Sequence, residues 1–257
     1  MKTFQTIISI LIGVFYSTLT FSQTVGIEIP SSSKPHRFSF SVTQGRSHSN
    51  TGRDLLKGME NSGLNDRTPI IYHPATWWSR AYASGGESYP KKKETNSYLN
   101  FQARYDLTLK SAMAVNWSTT MNATVEGYER VGESGNFLTL DSKIKILTLE
   151  YILRIGTGWS GISVGPAVVF HNVARQPLSD EINLYQHKAI KPGIHLGYTW
   201  SFIKNSNWIV AANVQYNWFS KDVIDPITIE GEFTSVYAGQ PVSLSNIGLG
   251  ITSGFRF

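Results

Sequence analysis

The chain has 257 residues, of which 41% are hydrophobic, 12% aromatic and only 16% charged, against about 25% charged in an ordinary soluble domain, with a net charge of +5. So many aromatics and so few charges exclude a disordered chain, and a mean hydropathy of -0.16 with one long apolar run excludes a helical membrane protein, which needs repeated apolar runs of about 20 residues. The absence of cysteine excludes disulfides, thiolate metal sites and an acylated N-terminal cysteine.

The apolar run covers residues 6 to 21, preceded by Lys2 and followed by Ser22 and Gln23. A charged start, an apolar middle and small residues at the end make a secretory signal, with cleavage expected after Ser22. Residues 23–35 are then read as an N-terminal periplasmic segment and residues 36–257 as the folded part.

From residue 36 onward the pattern is period two, which places alternate side chains on opposite faces of a strand. Phe38, Phe40 and Val42 oppose Arg37, Ser39, Ser41 and Thr43. A long segment at 47–96 follows, in which Gly52 to Asn65 shows no alternation and reads as a short helix or disorder. Leu99, Phe101, Ala103, Tyr105 and Leu107 then oppose Asn100, Gln102, Arg104, Asp106 and Thr108; Val115, Trp117 and Met121 oppose Asn116, Ser118, Thr120 and Asn122. Leu147, Leu149, Tyr151, Leu153 and Ile155 oppose Thr148, Glu150 and Arg154, and Ile162, Val164, Val168 and Phe170 oppose Ser163, Gly165 and Ala167. The last three windows set Leu196, Tyr198, Trp200 and Phe202 against His195, Gly197, Thr199 and Ser201; Val210, Val214, Tyr216 and Trp218 against Asn213, Gln215 and Asn217; and Ile247, Leu249, Ile251, Phe255 and Phe257 against Asn246, Gly248, Gly250, Thr252 and Arg256.

About eight strands result, and they predict an all-β chain: a single up-and-down antiparallel transmembrane β-barrel with long extracellular loops. Alternation alone fits equally a soluble barrel with its apolar face inward. Connection lengths separate the two. Links near 106–112, 156–161 and 203–207 are tight and those near 47–96, 131–138, 173–189 and 220–242 are longer, in strict alternation, as in outer-membrane barrels with short periplasmic turns. Tyr105, Trp159, Trp200, Phe202, Trp208 and Phe255 beside the short turns, and Tyr128, Trp218 and Phe219 near the long links, read as two interfacial girdles.

The terminal strand NIGLGITSGFRF, with Phe255 and Phe257, resembles the signal by which barrel assembly machinery recognises outer-membrane barrels. LTLEYILRIG at 147–156 followed by ISVGPAVVF at 162–170 resembles the central hairpin of the small outer-membrane β-barrel domain family of Bacteroidota, the OmpA-like and PorT-like barrels, through Glu150, Leu153, Arg154, Gly165 and Pro166; the proline usual after the glutamate-containing segment is replaced by Tyr151 and Ile152. The resemblance implies a barrel over residues 36–257 and no assigned activity.

Arg37, Arg104, Glu126, Glu150, Arg154 and Arg256 are the candidate lumen charges, read as a fixed ion-pair plug because a barrel this narrow is filled by side chains and buried charges must pair. Trp77 and Trp78 with the basic run Lys91, Lys92 and Lys93 are the candidate loop-binding residues, suited to sugar rings and lipopolysaccharide phosphates. His171 has Val173 and His195 has Gly197 two residues on, so neither strand carries a same-face serine; Asp222 and Asp225 look like solvated loop carboxylates, and six histidines without ligand spacing promise no metal site. The sequence therefore leads to a non-enzymatic, cofactor-free outer-membrane barrel with a plugged lumen. Its expected partners are outer-membrane lipid and lipopolysaccharide, the assembly machinery during biogenesis and an envelope protein complex, with no nucleic acid. A narrow solute channel and a lipid-modifying surface enzyme are the alternatives.

Overall fold

The computed structural model describes residues 38–68, 70–73, 82–132, 134–155, 159–175, 185–202, 207–230 and 234–257. The stretches read above as a signal and a periplasmic segment, with Arg37, Trp77 and Trp78, lie outside the described residues. Among the described residues no helix is long and apolar enough to cross a membrane.

Eight strands close into an antiparallel barrel: β1 (Phe38–Ser49), β5 (Ser97–Asp106), β6 (Ser111–Val131), β7 (Ser134–Arg154), β8 (Gly161–Arg175), β9 (Gln186–Ser201), β10 (Trp208–Phe219) and β15 (Asn246–Arg256). Each pairs with its neighbour in that order, β6 with β7 and β15 with β1, so the ring has no free edge. The predicted all-β up-and-down barrel and its eight strands are therefore the fold.

Short connections gather at one end, at 107–110, 155–160 and 202–207; the other end holds the long ones, with one correction. Between the end of β6 at Val131 and the start of β7 at Ser134 only two residues intervene, the first of them Gly132 at φ 66°. The length of the strands explains this: β6 and β7 run 21 residues each, so the hairpin carries its turn far beyond its neighbours.

The two halves of these long strands have opposite polarity. In the short-turn half the exterior is apolar, with Phe38, Phe40, Phe101, Leu153, Ile162, Ile194, Leu196, Trp200, Trp208 and Ile251 exposed, and the interior is polar. In the other half the pattern inverts: Lys143 and Lys145 point outward from β7 while Ile146, Ile144, Leu140 and Leu138 point in. On β6 a register shift between Thr119 and Asn122 produces the same inversion, since an irregular pairing re-aims every later side chain. On β9 the exposed apolar face runs from Trp200 to Ile190 and gives way to exposed Lys188 and Gln186.

The inward face of the inverted half is covered by elements from the long connections. Helix α1 (Thr51–Asn61) lays Leu55 and Met59 against Val125, Leu138, Leu140 and Val173 of the barrel strands. Two small hairpins, β11 (Asp222–Ile224) with β14 (Gln240–Val242) and β12 (Ile227–Glu230) with β13 (Thr234–Tyr237), add Ile224, Ile227, Ile229, Tyr237 and Val242. Strand β4 (Lys91–Thr95) prolongs β5 by pairing with the far half of β6, and β2 (Ile70–His73) pairs with β3 (Tyr82–Gly85). The non-alternating stretch from Gly52 is thus a helix, tied down where the Asp54 carboxylate accepts from Ser243 N–H at 2.8 Å and Ser62 Oγ accepts from Ala238 N–H at 2.9 Å. Gly58 is required by its close approach: a Cβ there would meet the Tyr237 ring at 2.9 Å.

This arrangement corrects three of the girdle assignments. Trp159 and Phe219 are buried inside the molecule and Tyr128 is buried on the outward face of β6 against Tyr89 and Phe137, whereas Trp200, Phe202 and Trp208 are exposed at the short-turn end. There Trp208 packs edge-on against Phe255, which meets Phe257.

Candidate functional site

The interior of the short-turn half is a stack of polar networks. Lowest lies Arg104, 2% exposed, whose Nε donates to Asp106 Oδ1 at 3.2 Å and whose guanidinium covers the Trp159 ring at 4.7 Å. Arg154 forms an ion pair with the other Asp106 oxygen. Arg256 and Arg104 flank Ser39 of β1 from opposite sides in register, so both belong to this level.

One level up sits Glu150, whose carboxylate accepts from Asn116 Nδ2, from Thr148 Oγ1 at 3.1 Å, and from His195 Nε2 at 2.8 Å. The opposite nitrogen of His195 donates to Asn217 Oδ1 at 2.8 Å, and Asn217 passes the chain on to Asn246 at 3.0 Å. Ser163 Oγ lies 3.1 Å from His195 Nε2. Beside these, Thr43 and Thr252 hydroxyls bond across β1 and β15 at 2.7 Å.

Of the predicted lumen charges the structure brings Arg104, Arg154 and Arg256 together and gives Glu150 its own network. Glu126 is not in the lumen: it lies on the outward face between buried Val125 and Gly127, because the β6 register shift precedes it. The partners Asp106 and His195 were absent from the predicted set. Asp106 shares the Arg104 face two residues on, a signal available in the sequence; His195 meets Glu150 across the lumen, which no spacing reveals.

A third cluster sits where the interior changes from polar to apolar. His171 of β8 lies between inward-facing Val169 and Val173. Its Nδ1 donates to Asp222 Oδ2 at 2.8 Å, and its Nε2 stands 3.0 Å from Ser142 Oγ of β7. From β9, His187 Nε2 donates to the same Asp222 Oδ2 at 2.8 Å, and Lys191 Nζ lies 3.5 Å from Oδ1. Burial by itself would raise the Asp222 carboxyl, but hydrogen bonds and charge from His171 and His187 outweigh it and hold it down at about 2. Next to it, burial followed by the charges of Asp225 and Asp222 pushes the Tyr185 phenol up to about 12. Asp222, expected to be a solvated loop carboxylate, is buried; the same-strand search for a serine missed Ser142 because the hydroxyl comes from the neighbouring strand.

The loop candidates fare unevenly. Lys91 is paired with Glu87 and lies 4.8 Å from the Tyr89 ring centre, and Lys92 is paired with Glu94 at 3.0 Å. Lys93 is exposed. The hydrogen bond and charge of Lys91 hold the Glu87 carboxyl below its ordinary value. The basic run is therefore partly neutralised by its own neighbours.

No protein-family model matches the chain, and no curated protein matches it in sequence. Among solved structures it is similar to Ail, the attachment invasion locus protein of Yersinia pestis, solved in complex with the heparin analogue sucrose octasulfate, at 12% identity and a TM-score of 0.38 over 86% of this chain and 99% of that one. It is also similar to the outer membrane protein OprG from Pseudomonas aeruginosa, at 13% identity and a TM-score of 0.47 over 87% of this chain and 97% of that one. Likeness at this level is one of general shape; the barrel itself rests on the strand pairing above.

Proposed function

We propose that the protein is an integral outer-membrane barrel whose lumen is closed to solutes and whose working surface is the folded cap at its long-connection end. The observation that carries this reading is the polarity inversion along continuous strands. The exposed apolar face of β9 from Ile190 to Trp200, tilted as barrel strands are, is roughly 23 Å tall, the height of a bilayer's hydrocarbon band. An exterior so apolar is unstable in water and at home in lipid. Above it the same strands turn polar outside and apolar inside, as a domain in water requires, and α1 with the small hairpins fills the mouth. Below, arginines, glutamate, histidine and amides of the described residues crowd the lumen, which supports a closed path.

The cap faces the outside of the cell if the short turns lie in the periplasm, and Lys93 with the remaining rim would meet lipopolysaccharide or an envelope protein there. Phe255 and Phe257 serve assembly. On the same reading Ser142–His171–Asp222 and Ser163–His195–Asn217 are hydrogen-bond chains rather than acyl-transfer relays, because both serines are buried among packed strands. The test is planar-bilayer recording of the purified protein: no steady conductance is expected. Sustained ion-selective current would replace the plug with a channel.

A further inference from the structure

We propose that His171, His187 and Asp222 form a binding site for a divalent transition-metal ion of the zinc class at the boundary between lumen and cap. Two imidazole nitrogens, His171 Nδ1 and His187 Nε2, converge on one carboxylate oxygen, Asp222 Oδ2, each at 2.8 Å. Among the described residues this is the group of three whose ligand atoms all lie within 4.8 Å of one another. In a tetrahedral zinc site with bonds of about 2.0 Å, ligand atoms stand about 3.3 Å apart, so the ion replaces the two N–H hydrogens with a small outward shift of the rings. Each ligating nitrogen must be bare, so each ring binds the ion as a neutral imidazole with its proton on the other nitrogen. Two nitrogens and one oxygen leave a fourth position for water or a substrate atom, and this ligand set favours zinc, cobalt or nickel over calcium or magnesium, which prefer all-oxygen cages.

The surrounding groups match what metal ligands need. A ligating histidine donates its second N–H to an oxygen that fixes the ring. His171 Nε2 has Ser142 Oγ at 3.0 Å, and His187 Nδ1 faces Asp225 Oδ2 at 3.8 Å. Lys191, at 3.5 Å from Asp222 Oδ1, engages the oxygen left over and keeps the carboxylate in place. Its positive charge opposes the ion, so the affinity is that of a site tuned below a three-histidine one. Entry is from the rim: His171 and Asp222 are buried, while the His187 side chain is 13% and that of Asp225 79% exposed. Strands β7, β8, β9 and β11 supply Ser142, His171, His187 with Lys191, and Asp222, so an ion would fasten the cap hairpin to the barrel wall.

Isothermal titration of the untagged, folded protein in detergent with zinc chloride tests the site, with cobalt chloride as a spectroscopic probe. One zinc per chain and an intense visible cobalt band are expected. His187→Ala, at the rim, should fold normally by heat-modifiable migration and weaken binding at least tenfold, Ser142→Ala should weaken it by about tenfold, and His48→Ala should leave it unchanged. Absence of a titratable zinc, or zinc binding that His187→Ala leaves intact, overturns the site. Covalent labelling of Ser142 by a fluorophosphonate would also overturn it, in favour of a serine nucleophile.

Discussion

Glu150 is held by a buried imidazole, an amide and a hydroxyl, and its removal would strand all three. Breaking a buried pair costs more than the pair contributes, because the surviving partner keeps its desolvation penalty. Glu150→Ala is expected to destabilise the barrel by about 3 to 5 kcal/mol in urea titrations followed by heat-modifiable migration, with His195→Ala recovering part of that loss in the double variant. The inward positions of Arg104, Glu150 and Arg154 were legible from alternation, since a strand fixes which face a side chain takes. Their partners were not. Asp222 sits in a cap hairpin and reaches His171 and His187 on two different barrel strands, and sequence spacing says nothing about which residues of neighbouring strands stand level.

At the scale of elements, the cap is held by packing of its own on the inverted half of the barrel. Its stability comes from ordinary apolar packing of α1 and two short hairpins on the inner wall of β6, β7 and β8. Leu55, fully buried in that packing, should cost about 2 to 5 kcal/mol when changed to alanine, and the loss should fall on the cap. Hydrogen exchange would then rise over residues 51–64 while the amides of the short-turn half stay protected. Even protection loss throughout the molecule would show cap and barrel to be one cooperative unit. The helix was open in the sequence as one of two readings of a non-alternating stretch, because Leu55 and Met59 share a helical face but the sequence does not show the apolar wall of Val125, Leu138, Leu140 and Val173 that buries them. The register shift in β6 left no such trace. It misplaced Glu126 by turning it outward, and the long β6–β7 hairpin hid a two-residue turn inside what looked like a longer link.

On the membrane reading proposed above, the whole molecule is a barrel matched to two solvents. An arginine placed in the middle of the apolar belt, as in Leu196→Arg, is expected to cost about 2 to 4 kcal/mol in lipid vesicles, while Lys188→Arg beyond the belt should be neutral within about 0.5 kcal/mol. Equal effects at the two positions, read from reversible unfolding in vesicles, would remove the membrane from the account. Period-two alternation, alternating connection lengths and the aromatic ends of strands determined the barrel, its strand count and the outward turn of its apolar face, because each is a local property that the backbone converts directly into a face or a turn. The tertiary structure decided what closes that barrel: which charges meet, where the strands invert, and that a histidine pair and a buried carboxylate converge under the cap. Those depend on the register of neighbouring strands and on contacts between segments far apart in sequence, such as the 35 residues separating His187 from Asp222 and the 51 separating His171 from it, and only the closed ring sets them.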